Sequence, residues 1–158
     1  MFRPMNRPKQ AMDPAECIEL LRSQRRGVLS VVGDDGYPYG IPMDHYYCSE
    51  DGKIYFHSGK NGHKIDALRR CEKASYCVID QGVSADRGWA LDFRSVVVFG
   101  RVELTEDRDV VCEMTRRLSR LFTDDEDYIT GEIARFGPAT LLLVLTPEHI
   151  SGKRVNES

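Results

Sequence analysis

The chain has 158 residues, 41% of them hydrophobic and 30% charged, a globular mixture of the size expected for one compact domain. Its 22 Lys and Arg against 25 Asp and Glu leave a formal charge of -3, which argues against the clustered-cation binding that drives sequence-independent nucleic-acid association. No run approaches the ~20 apolar residues that span a bilayer, and Met1-Phe2-Arg3-Pro4 lacks the apolar core of a secretory signal, so a cytoplasmic protein without a membrane or nucleic-acid partner is expected.

Residues 1–12 carry Arg3, Arg7, Lys9 and two prolines and read as an extended arm. Asp13-Pro14-Ala15-Glu16 announces a helix, with Asp13 at the cap, Pro14 at the first helical position and Glu16 completing a capping box. Cys17, Ile18, Leu20 and Leu21 share one face, and Gly27 is placed to end that helix. The period then changes to that of strands. Val28 to Val32 is followed by the turn Gly33-Asp34-Asp35-Gly36, which needs positive φ. Tyr37 to Tyr47 is extended but interrupted by Pro38 and Pro42, which makes it an edge or bulged strand. Ser49 to Gly52 turns the chain into Lys53 to His57, completing an antiparallel meander.

His63 to Arg70 reads as a short helix with Ile65 and Leu68 inward, and Ala74 to Ile79 as a strand. Gln81 to Asp92 is a loop that holds Trp89, and Phe93 to Leu104 is a long strand. Helices are expected from Thr105 through Phe122, with Val110, Val111, Met114, Leu118 and Leu121 at helical spacing, and over Asp127 to Phe136. Their charge, ten acidic residues against four arginines between Glu103 and Glu132, reads as a solvated face, with docking of a basic partner the alternative. Ala139 to Leu145 is the last strand, and Pro147 onward reads as a tail. Six strands, mostly joined by hairpins, plus three or four helices give an α+β fold whose antiparallel sheet closes into a barrel.

Five cysteines (Cys17, Cys48, Cys71, Cys77, Cys112) form no C-x-x-C pair, and four histidines (His45, His57, His63, His149) do not fall at metal-ligand spacing, so no metal site is expected. The cysteines read as reduced core residues, with Cys48, beside a polar turn, the candidate for a reactive thiol. Walker A, Rossmann, G-x-S-x-G and H-E-x-x-H patterns are absent.

Two stretches carry chemistry. His57-Ser58-Gly59-Lys60-Asn61-Gly62-His63-Lys64 joins a strand end, a glycine-bearing loop and a helix start. Backbone N–H groups at the helix start, the Ser58 hydroxyl and the cations of Lys60 and Lys64 describe a phosphate cradle; the alternative is a surface loop rich in Lys and Gly because it is exposed. Tyr37-Pro38-Tyr39-Gly40-Ile41-Pro42-Met43 places a glycine inside a strand and removes ladder donors. That leaves peptide groups for the polar edge of a flat ring, or marks an edge strand protected by proline.

These stretches, in order with Gly52-Lys53-Ile54-Tyr55-Phe56-His57-Ser58, Arg94-Ser95-Val96-Val97-Val98-Phe99-Gly100-Arg101 and Ile150-Ser151-Gly152-Lys153, resemble the pyridoxamine 5'-phosphate oxidase-related flavoproteins, and among them the nitroimidazole-resistance (nitroimidazole reductase) branch. The resemblance runs from about Arg3 to Lys153. It implies an FMN-binding split β-barrel, one domain over residues 13–153 with a tail at 154–158, and a homodimer with the flavin at its interface. By the same resemblance Gly40, Ile41, Pro42 and Met43 lie along the isoalloxazine, His57, Ser58, His63 and Lys64 surround the phosphate, and Arg94 and Ser95 approach from the same or the partner subunit. The C-terminal arginine and tryptophan pattern of true pyridoxamine phosphate oxidases is absent, so vitamin B6 oxidation is not expected. The activity implied is FMN-dependent reduction of a small electron acceptor such as a nitroimidazole, with NAD(P)H as a donor and His63 as the first side chain to test as proton donor. The alternatives are a flavin-binding or redox-sensing protein without turnover, and a haem-binding relative on the same barrel.

Overall fold

A computed structural model gives the structure, describing residues 1–84 and 91–156. Trp89 lies outside the described residues. In chain order the elements are α1 (Pro14–Ser23), β1 (Arg26–Val32), β2 (Pro38–Asp44), β3 (Tyr46–Cys48), β4 (Lys53–Gly59), α2 (His63–Arg70), β5 (Lys73–Ile79), β6 (Val83–Ser84), β7 (Leu91–Thr105), α3 (Arg108–Ser119), α4 (Glu126–Phe136) and β8 (Thr140–Val155).

The strands pair antiparallel in the order β2-β1-β5-β7-β8-β4-β3, with β6 attached to β7. β2 and β3 are the two ends of this path, yet only His45 separates them in the chain, so the sheet must curl until its ends meet. His45 is buried at that crossing, and its N–H donates to the Arg25 carbonyl over 2.9 Å. The result is a curled antiparallel half-barrel with four helices. β7 and β8 are long enough to serve both halves. At Phe99/Gly100 their register slips, Gly100 facing Pro147 and Phe99 facing His149, so Glu148 is the extra residue of a bulge.

Inward residues follow the period of two. Leu29 and Val31 of β1, Ile54 and Phe56 of β4, Tyr76 and Val78 of β5 and Val96 and Val98 of β7 fill the barrel, with Leu20 and Leu21 of α1 closing it. Each such side chain, fully buried, contributes roughly 1.5–3 kcal/mol. A second cluster, Cys48, Tyr55, Val111, Leu142 and Val144, joins α3 to the outer face of β3, β4 and β8.

Several expectations are corrected. Eight strands replace six among the described residues, because the stretch from Tyr37 to Tyr47 breaks at His45 and Val83–Ser84 pairs with Leu91–Asp92 inside the expected loop. Gly27 does not cap α1, which ends at Ser23; it lies in β1, where an added Cβ would press into the Tyr76 ring and the Cys77 carbonyl. The last strand runs on through Val155, taking in Arg154 and Val155, since a proline that terminates an ordinary strand is tolerated at a bulge. The N-terminal arm lies against the sheet: Ala11 bridges Lys153, the Met12 N–H donates to the Gly152 carbonyl over 2.9 Å, and Phe2 stacks on His149 at 4.8 Å.

Candidate functional site

α2 starts where Gly62 adopts φ 122, a conformation side-chain-bearing residues avoid. The N–H groups of Ile65 and Asp66 both return to the Gly62 carbonyl at 3.0 Å, while those of His63 and Lys64 come too early in the helix to find an intrahelical acceptor. Ile65, Ala67 and Leu68 are buried and pin the helix to the barrel, which fixes the direction of its N-terminus. Lys64 is half-buried there and makes no ion pair among the described residues. Lys60, by contrast, is committed to Glu106 at 3.4 Å.

His63 is held on three sides. Its ring stacks on Tyr39 at 4.1 Å and 15°, and its Nε2 lies 3.3 Å from the Asp34 backbone nitrogen and 3.6 Å from Asp34 Oδ2. An added Cβ at Gly33 would come within 3.3 Å of His63 Nε2. Asp34 in turn pairs with Arg70 at 2.7 Å, so the β1–β2 turn, with Asp35 at φ 55, is tied to both ends of α2. Tyr39 and Asp34 carry no weight in the sequence reading. The available signal is alternation along β2, which puts Tyr39, Ile41 and Met43 on the inner face and leaves Tyr39 beside the helix start.

The period of two separates the other candidates. Ser58 follows Ile54 and Phe56 onto the inner face, where its Oγ is buried without a protein partner. His57 turns to the outer face and lines a groove with α3 and α4, so the structure does not bring it together with Ser58. Gly40 and Pro42 face outward. Opposite Gly40 stand Ser30, then Ser75, then Phe99 across four strands; opposite Pro42 stand Val28, Cys77 and Val97. Ser30 and Ser75 of the first row make the floor of a shallow trough of about 270 Å³, walled by Pro38 and Phe99. Gly40 stands beside Ser30 outside its lining, and a Cβ there would lie 3.1 Å from Val28 Cγ1 and 3.4 Å from Ser30 Oγ. Because β2 pairs only with β1, its other edge keeps unpaired peptide groups, and the Tyr39–His63 stack sets that edge beside the start of α2.

Ser95 faces outward opposite Ile79, at the far end of the same sheet face, while Arg94 turns to the other face. Gly100, opposite Ala74, marks the turn end of the sheet, and Arg94 is six residues away along β7, about 20 Å. Its guanidinium is engaged by Asp80 at 2.9 Å and Glu19 at 3.0 Å. Donating to Asp80 holds Arg94 above its ordinary pKa, and although burial raises Asp80, the hydrogen bonds it accepts from Arg94 and the Gly82 N–H keep it below the usual carboxylate range. Cys48 is buried, its Sγ–H donates to Glu50 over 3.4 Å, and burial pushes its thiol up, which removes it as a reactive nucleophile. No cluster of three or more metal-ligating side chains occurs among the described residues, and no helix among them is long and apolar enough to cross a membrane.

An unpartnered buried hydroxyl, a half-buried cation without a counter-ion, free N–H groups and a small-residue trough make a donor set suited to a ligand with an anionic end and a flat ring. The fold has solved counterparts. A candidate 5-nitroimidazole antibiotic resistance protein from Bacteroides thetaiotaomicron superposes with a TM-score of 0.74 at 19% identity, covering 91% of this chain and 86% of its own. An FAD-binding protein from Mesorhizobium loti gives 0.65 at 23%, covering 93% and 98%. The flavocytochrome Anf3 from Azotobacter vinelandii gives 0.71 at 20%, covering 98% and 73%. At these identities the likeness is one of fold, the split barrel. A search of curated proteins finds no match to the chain. A sequence model described as pyridoxamine 5'-phosphate oxidase matches residues 13–154, and since that is nearly the whole length, the chain belongs to the pyridoxamine 5'-phosphate oxidase family.

Proposed function

We propose that the chain binds FMN and works as a flavin-dependent oxidoreductase, moving electrons from a reductant such as NAD(P)H to a small oxidised organic compound of the nitroimidazole kind. The observation that carries this reading is the pairing of Ser58 and Lys64 at the two ends of one short loop. Among the described residues Ser58 Oγ is buried with no partner, and Lys64 makes no ion pair at the Gly62-opened start of α2. A buried hydroxyl left without a partner is costly, and so is a half-buried cation without an anion. A phosphate monoester satisfies both, together with the N–H groups of His63 and Lys64.

The trough over Ser30 and Ser75, beside Gly40, suits the ring, and the edge of β2 away from β1 suits its polar rim. Being shallow and open, it encloses a ring on one side only. Val28 and Ile79, 42% and 54% exposed, continue it across the outer sheet face. A second copy of the chain laid on that face would close the slot and cover the apolar surface, so the reading includes a homodimer. When bound, the flavin supplies the redox chemistry. His63 contributes orientation through its stack on Tyr39 and its contact with Asp34, and its ring is the first proton donor to test.

The absorbance spectrum of the purified protein is the first test: flavin maxima are expected, and a Soret band or a colourless preparation that ignores added FMN overturns the reading. Lys64→Ala is expected to weaken FMN by about 1.5–3 kcal/mol, the worth of a charge-assisted hydrogen bond, measured by titrating apoprotein with FMN. Consumption of NADH or NADPH with a nitroaromatic acceptor separates an enzyme from a binder.

A further inference from the structure

Between α3 and α4, on the outer side of the barrel, the chain leaves a cavity of about 330 Å³. Small-ligand pockets run roughly 300–1,000 Å³ and combine apolar walls with a few fixed polar groups. This one has both. α3 presents Val111, Thr115 and Leu118 at helical spacing; Val111 and Leu118 are buried, and packing alone would place an aliphatic residue between them. Thr115 stands there instead. A threonine within a helix commonly returns its hydroxyl to the carbonyl four residues back, but Thr115 Oγ1 is buried and has no protein partner. From α4, Ile129, Glu132, Ile133 and Phe136, at i, i+3, i+4 and i+7, face the same space. Ile129 and Ile133 are buried, and Phe136 is 48% exposed at the mouth. Glu132 is half-buried and makes no ion pair among the described residues. His57 comes up from β4 below.

We propose that this groove is a binding site for a small neutral aromatic compound of one or two rings that carries an N–H donor. The ring packs on Ile129, Ile133 and Phe136, and the N–H is donated to Thr115 Oγ1 or the Glu132 carboxylate. The charge decides the class. The groove lies in the stretch from Glu103 to Glu132, where ten acidic residues meet four arginines, and its fixed oxygen acceptors are Thr115, Ser119 and Glu132. Glu132 is the one carboxylate that lines the groove and would repel a carboxylate or phosphate, whereas it accepts an N–H, as the Thr115 and Ser119 hydroxyls also can. The site is separate from the flavin site, because His57 and Ser58 point to opposite faces of β4, and it does not rest on that reading.

Titration calorimetry of the purified full chain, with whatever cofactor it retains, tests this with indole and with indene, which has the same bicyclic shape and no N–H. Indole is expected to bind at one site per chain, with indene about three- to tenfold weaker, the range of one neutral hydrogen bond. Thr115→Val and Glu132→Gln are each expected to weaken indole by a similar factor while the visible absorbance spectrum stays that of the parent. Thr115→Val should also melt no lower than the parent, since it deletes an orphaned hydroxyl and keeps the shape. No binding of indole, equal binding of indene, or indole binding unchanged in both variants overturns the proposal. A change in the flavin spectrum on adding indole overturns the claim that the two sites are separate.

Discussion

Tyr76 shows how much one buried hydroxyl can be asked to do. It is fully buried, 2.9 Å from the Met43 carbonyl and 2.7 Å from His45 Nδ1, while His45 Nε2 lies 2.7 Å from the Leu21 carbonyl. The Leu21 oxygen can only accept, so Nε2 carries a proton. With the imidazole neutral, Tyr76 then has one proton for two acceptors. A protonated imidazole would supply the missing donor, but burial opposes the charge and lowers the His45 pKa despite the Leu21 bond. Because the folded value lies below the unfolded one, the unfolded chain binds the extra proton first. Stability is therefore complete above about pH 6.5, the ordinary histidine value, and declines as the pH falls below it. Denaturant unfolding at pH 7.5 and 5.5 should show the loss, and a His45→Gln variant should flatten it; an unchanged slope in that variant would show that another group is responsible. Tyr76→Phe leaves both Met43 and His45 short of a donor and should cost about 1–3 kcal/mol, read as a lower urea midpoint. None of this was legible in the chain. His45 reads as a polar residue at a strand end, and only the meeting of the sheet's two ends buries it.

Among the elements, α2 was legible to the residue and β8 was not. His63 to Arg70 carries its own start signal in Gly62 and its own apolar face in Ile65 and Leu68, so local information suffices. β8 beyond Pro147 depends on a long-range partner, β7, whose bulge accepts the proline. The same contrast explains the site. Neighbours in sequence made His57 and Ser58 look like one cluster, although strand alternation sends them to opposite faces. The grouping of His63 with the turn at Asp34 needed the β1–β2 hairpin to fold back on α2. What fixes the far half of β8 is contact with α1 and the arm at Gly152, where an added Cβ would come 2.5 Å from Cys17 Sγ and 3.1 Å from Met12 Cβ. Gly152→Ala should therefore cost about 1–3 kcal/mol through overpacking. If the contact is the cause, Cys17→Ala in the same chain should restore part of that loss, since the removed sulfur makes the room. Additive losses in the double variant would place the strain elsewhere in the strand.

At the scale of the molecule the curl of the sheet decides what is left outside. The interior is filled by α1 and the inward side chains, and α3 covers β3, β4 and the first half of β8, but nothing among the described residues covers the outer face of β2, β1 and β5. That face is apolar by row rather than by chance: Pro42, Val28, Cys77 and Val97 stand side by side in register, flanked by Val32, Ile79 and Phe99. Such a surface is costly on a lone monomer, and the proposed flavin trough runs along it, so assembly and cofactor retention should fail together. Val28→Asp, at a position already 42% exposed, leaves the core untouched and puts a charge in the middle of the row. Light scattering is expected to give a dimer for the parent and a monomer for this variant, with a loss of at least about 2 kcal/mol in association for a central contact. FMN should be lost in step. Val110→Asp, 38% exposed on α3 away from this face, should remain dimeric and yellow. A monomeric parent, or a Val28→Asp dimer that keeps its flavin, would mean that the row is covered by something other than a second copy.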